Sequence, residues 1–314
     1  MQRAVTHNGV FHADDVLAGA ILRFLVPEIR IERTRDREVL EAAKGDPAVV
    51  VFDVGGEYNP SQNNFDHHQR GWGEDPSHLR EGVPLSSAGL LWRAFGPAIL
   101  AEAGLSASAD LAAAAIWEDA IRGVDILDNG VEELAPEGRG FTPAVMAIAK
   151  ARLPRWDEEG VSLDERYEAA VEDVLDLCLR PAIARAAAAA AAREVVMTAH
   201  FDEGGSALVL PRFCPWQEHL FVREEDRGER ILFVIFPEAG NTGSWMIQQV
   251  PTRPGSFVGR KPLPAAWAGL RAEDLDAATG VGGGVFCHPG RFIAGHSTQE
   301  GALALAHLAK RAEG

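Results

Sequence analysis

The sequence predicts a two-part α/β protein, with an N-terminal domain built on a parallel sheet and a second, smaller α+β domain. The first observation is length, because 314 residues correspond to about two domains of ~150 residues. The second is the segment Ala48–Val54, a nearly continuous apolar run that ends in two glycines and is typical of a strand buried on both faces. The third is a change of pattern near residue 196, from alternating strands and helices to strands separated by turn residues.

Local patterns predict each element of the first half. Ala4–Thr6 predicts a short strand, and Val16–Leu25, apolar on nearly every side, predicts a buried helix that ends at Pro27. The remaining predicted elements are a strand at Ile29–Arg33, an amphipathic helix at Asp36–Ala43, the strand at Ala48–Val54, and helices at Ser86–Phe95 and Ala109–Leu127. The last helix ends at Asn129-Gly130.

A helical connector is predicted between the two domains. Leu163–Val196 has the pattern of one long helix or a broken pair, with a kink or break at Pro181. The following predicted strands are Ala207–Leu210, Arg230–Phe236, Trp245–Val250, Val285–His288 and Arg291–Ala294, before a final helix at Gln299–Ala312. These patterns place the N-terminal domain at 1–160, the connector at 161–196 and the C-terminal domain at 197–314.

Composition narrows the classes of function. Hydrophobic residues make up 46% of the chain and charged residues 24%, which excludes a mainly disordered chain. No apolar stretch reaches the ~20 residues of a membrane span, so no membrane association is expected. The three cysteines are widely separated and predict reduced thiols in a cytoplasmic protein.

The chain is strongly acidic, with a formal net charge of −16. An acidic surface repels polyanions at long range, which argues against a general nucleic-acid binder. It does not exclude an enzyme whose carboxylates hold metal ions, because bound cations invert the local field.

Histidines and aspartates cluster after the predicted strands of the first half. They are His7, His12 and Asp14 after the first strand, Asp53 at the end of the buried strand, the triplet Asp66-His67-His68, and Asp125 and Asp128 near a helix end. Ligands of open α/β sheets bind beyond the carboxyl ends of the strands. Any one of these side chains alone fits a loop or a cap, but the combination predicts a metal site.

The ligand types indicate which metals the site would hold. Imidazole and carboxylate together suit transition ions better than calcium, which prefers oxygen ligands alone. The set is larger than one tetrahedral ion needs, and Asp53 is placed to bridge two ions. Two ions ~3.5–4 Å apart are the arrangement that cleaves phosphoesters.

These motifs resemble the DHH phosphoesterase superfamily and, more closely, the melanocyte-proliferating-gene-1 family. The strings that carry the resemblance are Thr6–Gly9, Phe11–Asp15, Arg33–Asp36, Val51–Tyr58, Phe65–Arg70, Leu85–Leu90, Val124–Gly130, Cys214–Leu220, Leu263–Arg271 and Phe292–Ala302. The resemblance spans nearly the whole chain. It implies an N-terminal DHH-type catalytic domain, a C-terminal substrate-binding domain, and a 3′–5′ exonuclease on RNA that depends on two ions of Mn²⁺ or Mg²⁺.

The resemblance also implies a role for each site residue. The implied metal ligands are His7, His12, Asp14, Asp53, His67 and Asp125. The catalytic set is His68, which would face the scissile phosphate, Asp66, which would orient its neighbours, and Asp128. One departure is His12, because the wider superfamily usually has an aspartate there; this affects metal identity more than mechanism.

Gly-rich strings in the C-terminal domain predict phosphate contacts. Gly282–Gly284 and Gly295–Thr298 would let the backbone approach phosphate, and amides at a helix N-terminus bind anions. The predicted substrate-binding residues are Arg253, Arg260, His288, Arg291, Gly295, His296 and Ser297. A turn or an ordinary solvated charge would explain any one of them alone.

Three functions are compatible with the sequence. The first is a two-metal 3′–5′ exonuclease acting on the 3′ ends of single-stranded RNA or short oligonucleotides. The second is a DHH-type pyrophosphatase or small-nucleotide phosphohydrolase. The third is a metal-binding or RNA-binding protein without turnover, which the complete ligand set disfavours. The sequence leaves the oligomeric state open.

Overall fold

The computed structural model describes residues 1–131, 134, 140–240, 243–254, 256 and 258–312. The chain forms two compact units, Met1–Ala187 and Ala188–Gly314. A largely parallel sheet lies in the first unit and a mixed, mostly antiparallel sheet lies in the second. The predicted α/β class is therefore confirmed.

A five-stranded sheet forms the centre of the first unit. Its strands are β1 (Arg3–Thr6), β2 (Arg30–Arg33), β3 (Val49–Phe52), β4 (Tyr58–Asn59) and β5 (Asn64–Phe65), in the order β2-β1-β3-β5-β4. All pairs are parallel except β4 with β5. Because parallel strands end at the same edge of a sheet, the segments after β1, β2, β3 and β5 come together there.

The helix α1 (Ala13–Leu25) packs against α3 (Ser87–Glu102) and α7 (Leu163–Val174) and buries most of its surface. It begins three residues before the predicted start, because the His12 backbone N–H donates to Asp15 Oδ1 and caps the first turn. The other elements of this unit are α2 (Arg37–Lys44), β6 (Leu79–Arg80), β7 (Val83–Pro84), α3 (Ser87–Glu102), α4 (Ala109–Ile116), α5 (Arg122–Asp128), α6 (Thr142–Arg152) and α7 (Leu163–Val174).

Two of the predicted long helices contain a π-helical turn. Trp117–Ile121 joins α4 to α5, and Leu175–Leu179 joins α7 to α8 (Arg180–Thr198). Pro181 is the second residue of α8, directly after this π turn. The irregularity predicted at Pro181 is therefore this π turn, just before the proline.

The second unit is built on a six-stranded sheet. In sheet order its strands are β12 (Gly284–Cys287), β13 (Ile293–His296), β11 (Trp245–Gln249), β10 (Phe233–Pro237), β9 (Ala207–Val209) and β8 (His200–Phe201). Its further helices are α9 (Gln217–Arg227), α10 (Ala272–Thr279) and α11 (Gln299–Arg311). The inner face of α11, including Leu305 and Ala306, is fully buried in the core of this unit.

Within the described part of the chain, no helix combines the length and apolarity needed to cross a bilayer.

Candidate functional site

The carboxyl edge of the first sheet carries an open cleft of about 400 Å³. Its lining residues follow the parallel strands or end α5: His7, His12, Arg35, Asp53, Val54, Asp66, His68 and Asp128. Six of these eight are predicted site residues. The structure thus brings together side chains that the sequence places on separate loops.

The loop after β1 holds His7 in a form that fits a metal ligand. His7 Nδ1 lies 3.1 Å from the Asn8 carbonyl, which can only accept, so Nδ1 donates to it and Nε2 is the ring atom that faces the cluster. Nε2 lies 3.3 Å from both Asp15 Oδ2 and Asp53 Oδ2. The buried Asp15 Oδ2 has no hydrogen-bond partner among the described residues. One imidazole nitrogen and two carboxylate oxygens that converge in this way fit a bound cation.

Asp53 has a strained backbone at the end of β3. Its φ of 54° lies in the left-handed region, which non-glycine residues seldom adopt. Asp53 Oδ1 lies 3.4 Å from His68 Nδ1 and 3.8 Å from His67 Nδ1, while its Oδ2 faces His7. Strain of this kind persists where the surroundings require it, often at functional sites. Here it places one carboxylate between the histidines of two loops.

Asp14 points to the N-terminus of α3, away from its neighbour Asp15. It accepts hydrogen bonds from the backbone N–H groups of Ser87 (3.1 Å) and Ala88 (2.7 Å), where the helix dipole favours a negative charge. His67 lies beside it, with Nδ1 3.8 Å from Asp14 Oδ2 and Nε2 2.9 Å from Asp128 Oδ2. Asp128 therefore joins the cluster from the end of α5.

Asp66 is occupied by its own loop. Its Oδ1 accepts from the His68 backbone N–H (3.0 Å) and from His68 Nδ1 (2.8 Å), and its Oδ2 accepts from the Gly56 N–H (2.5 Å). Although burial opposes it, these hydrogen bonds lower the pKa of Asp66. Asp66 is thus an ionised support that orients the exposed ring of His68.

Three groups of side chains, two of which share His67, have donor atoms close enough to hold a cation. Their ligand atoms lie within 4.8 Å of one another in three sets: His7, His12 and Asp15; Asp14, His67 and Asp128; and Asp53, Asp66, His67 and His68. The mixed imidazole and carboxylate donors suit a divalent transition ion.

Burial crowds negative charge in this cluster. Desolvation raises the pKa of Asp15 to about 8 and holds the pKa of Asp53 well above its ordinary value. Burial would lower the pKa of His67, but the hydrogen bond with Asp128 and the charge of Asp14 help to raise it to about 9. Imidazoles are the only basic side chains that contact these carboxylates among the described residues. A divalent cation would relieve the repulsion, so the residues fit the predicted metal.

Asp125 does not join the cluster. It is fully buried, and its Oδ1 accepts from the Ser86 N–H (2.9 Å) and Ser86 Oγ (2.7 Å), while its Oδ2 accepts from Trp117 Nε1 (2.8 Å). Burial raises its pKa to about 7. Its oxygens are engaged in the fold, and Asp128, one helical turn later, reaches the cleft instead.

The backbone N–H groups of the Gly-rich loop in the second unit bind a carboxylate of the protein itself. Asp276 accepts hydrogen bonds from the backbone N–H groups of Gly283 (3.0 Å) and Gly284 (2.7 Å). The ring of the buried His296 is also engaged, because Nδ1 accepts from the Thr298 N–H and Nε2 lies 3.0 Å from the Gly282 carbonyl. The structure therefore gives this loop and His296 partners within the fold.

Arg260 is also engaged within the fold. Its buried guanidinium donates to both carboxylate oxygens of Glu224, at 2.6 and 2.8 Å, and to the Ile231 carbonyl. Arg260 therefore has partners for its guanidinium within the fold.

The other predicted substrate-binding residues of the second unit have different surroundings. Gly295 is buried against Phe286, so that an added Cβ would lie 2.9 Å from its ring. The exposed residues are Arg253, His288 and Ser297, and Arg291 is half-buried. Those four remain predictions.

Comparison with models of protein families assigns this chain to a family. MYG1_exonuc, described as an uncharacterised protein family (UPF0160), matches residues 3–309. The chain belongs to this family. The human MYG1 exonuclease is 38% identical over 336 residues, covering 98% of this chain and 86% of the human protein. The MYG1 protein of Saccharomyces cerevisiae is 32% identical over 332 residues, covering 96% and 94%.

Among solved structures, the pGpG-specific phosphodiesterase PggH from Vibrio aligns with 99% of this MYG1-family chain and 98% of its own, at 13% identity and a TM-score of 0.30. The family predicted from the motifs is confirmed by the family model.

Three residues at the cleft of this MYG1-family chain escaped prediction from the sequence. Asp15 faces His7, Ser87 contacts His67 through Oγ at 3.1 Å, and Arg35 lines the cleft. Asp15 carried a signal, since it is an acidic residue in the first turn of a helix that follows two histidines. Ser87 and Arg35 lie in family-like strings, but only the tertiary structure brings them to this edge.

Proposed function

We propose that this protein is a divalent-metal-dependent phosphodiesterase that acts as a 3′–5′ exonuclease on single-stranded RNA or short oligonucleotides. The observation that carries the proposal is the convergence of buried carboxylates and imidazoles on one open cleft. The name of the human relative, an exonuclease, supports the same reaction class.

We assign the metal ligands from the contacts. His7, His12 and Asp53 would hold one ion, with Asp15 beside them, because Asp53 Oδ2 and Asp15 Oδ2 both face Nε2 of His7. The second ion would lie among Asp14, Asp53, His67 and Asp128. Bound divalent ions would supply Lewis-acid stabilisation of the charge that develops on the phosphoryl oxygens.

His68 is the proposed proton donor. Its Nδ1 is held by the Asp66 carboxylate at 2.8 Å, and this hydrogen bond raises the pKa of His68. The ring is 63% exposed on the cleft, so its second N–H can reach a substrate phosphate. A positively charged imidazole there binds a phosphate oxygen and can protonate the leaving oxygen, a contribution of about 10²–10⁴-fold in rate.

The charge of the chain favours short substrates. A net charge of −16 repels a long polyanion that would lie along the surface. A strand end needs only a few nucleotides at the cleft. This supports attack at an end over binding along the strand.

Digestion of a ten-nucleotide RNA, labelled at either end, tests the proposal in MnCl₂. We expect the 5′-labelled RNA to give a ladder that shortens one nucleotide at a time and the 3′-labelled RNA to release a labelled mononucleotide at once. The opposite pattern would reverse the polarity. Inertness toward RNA with rapid cleavage of pyrophosphate would replace the proposal by the pyrophosphatase alternative.

A matched pair of variants links the activity to the cluster. Asp53→Asn is expected to lose Mn²⁺ binding in calorimetry and to reduce hydrolysis at least about 100-fold, more than an outer-sphere change would. Glu102→Gln makes the same chemical change on the exposed end of α3 and should behave as the parent. RNA binding without any hydrolysis by the parent would favour the binding-protein alternative.

A further inference from the structure

Arg35 follows β2 and lines the same cleft as the histidines and aspartates. It is the one Lys or Arg side chain among the residues described around this cleft, and it is exposed. Thr34 N donates to the Thr6 carbonyl at 2.8 Å, which holds the end of β2 beside the loop that carries His7. Arg35 thus brings a fixed positive charge to a site otherwise made of carboxylates and imidazoles.

The guanidinium of Arg35 is anchored on one side only. Its Nη1 donates to the backbone carbonyl of Asn8 and lies 3.3 Å from Asn8 Oδ1. Its Nε and Nη2 have no hydrogen-bond partner among the described residues, and no carboxylate there pairs with it. The anchor fixes the position of the group, and the remaining N–H donors stay available.

Arg33, two residues before Arg35, differs from it in having partners on both sides of its guanidinium. The buried Arg33 donates to the Gly9 carbonyl (2.7 Å) and to Asp164 Oδ1 (2.8 Å). It also lies over the Tyr167 ring, 4.6 Å from its centroid. Arg33 is used by the fold, whereas Arg35 remains unpaired at the cleft of an acidic protein.

We propose that Arg35 binds a phosphate of the substrate through its free N–H donors. The planar guanidinium matches the oxygens of a phosphate in a two-point hydrogen bond. The inference rests on the proposed function and adds a substrate-binding residue to it. A phosphodiester and a pyrophosphate present the same kind of oxygens to Arg35. Arg35 therefore does not tell these two substrates apart, and the substrate assay described above does.

Binding to a fluorescent eight-nucleotide RNA tests Arg35 apart from catalysis. Anisotropy is measured with MnCl₂ between 50 and 200 mM NaCl, in a His68→Gln background that slows hydrolysis. Arg35→Gln should weaken binding about 10- to 100-fold, the effect of losing a hydrogen bond to a charged group. It should also reduce the slope of log affinity against log salt by about 0.7, since one phosphate contact on a single strand is lost.

Two further variants complete the series. Arg35→Lys keeps the charge without the fork, so it should retain the parental slope and lose part of the affinity. Arg37→Gln makes the matched change at an exposed residue of α2 outside the cleft, and it should leave affinity and slope unchanged.

Two outcomes would overturn the proposal for Arg35. One is an Arg35→Gln variant that binds RNA with the parental affinity and slope. The other is loss of Mn²⁺ affinity in calorimetry with an unchanged salt slope, which would make Arg35 a support of the metal loop through Asn8. A parent that binds RNA through Arg35 but never hydrolyses it would refute the proposed function and leave this inference standing.

Discussion

We expect Asp125 to stabilise the fold and Asp128 to bind metal, and substitutions of the two residues test this difference. Asp125→Ala removes the acceptor for Ser86 N–H, Ser86 Oγ and Trp117 Nε1, all within 2.7–2.9 Å. Among the described residues, the Ser86 N–H and the Trp117 Nε1–H have no other acceptor, and a buried unpaired donor costs about 1–3 kcal/mol. We therefore expect the free energy of unfolding to fall by about 2–6 kcal/mol.

Asp128→Ala should have the opposite profile. Its side chain is 23% exposed and, among the described residues, bonds to His67 alone, so the loss of stability should stay below about 1.5 kcal/mol. Its Mn²⁺ affinity should fall at least about 10-fold, because it is a proposed ligand. The folded fraction of Asp125→Ala should bind Mn²⁺ as the parent does.

Urea denaturation in EDTA, followed by tryptophan fluorescence and circular dichroism, measures the free energy of unfolding of each variant. Titration calorimetry with MnCl₂ measures the Mn²⁺ affinity. The reasoning fails if Asp125→Ala loses Mn²⁺ affinity at parental stability while Asp128→Ala binds normally. That result would restore Asp125 as the ligand implied by the motifs.

Three further predictions follow from the same contacts. Because the folded pKa values of Asp15 and His67 are raised to about 8 and about 9, the metal-free protein should lose stability as pH rises from about 4 to 9, and MnCl₂ should reduce this loss. Denaturation midpoints measured across this pH range in EDTA and in MnCl₂ test both expectations. A flat profile in EDTA would contradict the raised pKa values. His68→Gln should lower kcat about 10²–10⁴-fold with Mn²⁺ affinity unchanged, and parental kcat would exclude it as the proton donor. Arg260→Ala should destabilise the protein by about 3–5 kcal/mol, since it leaves Glu224 buried without its partner, and should leave the KM for RNA unchanged; a raised KM at parental stability would return Arg260 to the substrate contacts.

The predictions held best where a local pattern has one structural solution. The buried strand predicted at Ala48–Val54 forms β3, and the final helix predicted at Gln299–Ala312 forms α11. An apolar run between turn residues, or an apolar stripe at helical spacing, carries its own reason for burial. Their ends shifted by a few residues because caps and neighbours decide them.

Some short or polar elements, such as α9 and α10, were not predicted. The helix α9 (Gln217–Arg227) is rich in charged residues, and its buried side is formed by Leu220 and Arg223. Arg223 is buried because it donates to the carbonyls of Val196 and Ala199 and pairs with Glu229. A pattern of apolar residues cannot predict the burial of this arginine, because the burial depends on partners that are distant in sequence.

The sequence by itself predicted the α/β class and the family of the protein, and it supplied the residue types that meet at the cleft. Imidazoles and carboxylates placed after strands predict a metal centre because few other arrangements use both ligand types. Only the tertiary structure decided which of two aspartates reaches the cleft, since Asp125 and Asp128 differ by one turn of a helix. It also separated Arg35 from Arg260, because one arginine lies open at a sheet edge and the other is neutralised by Glu224. Charge and residue type are local properties, whereas the partner that satisfies a charge is set by the fold.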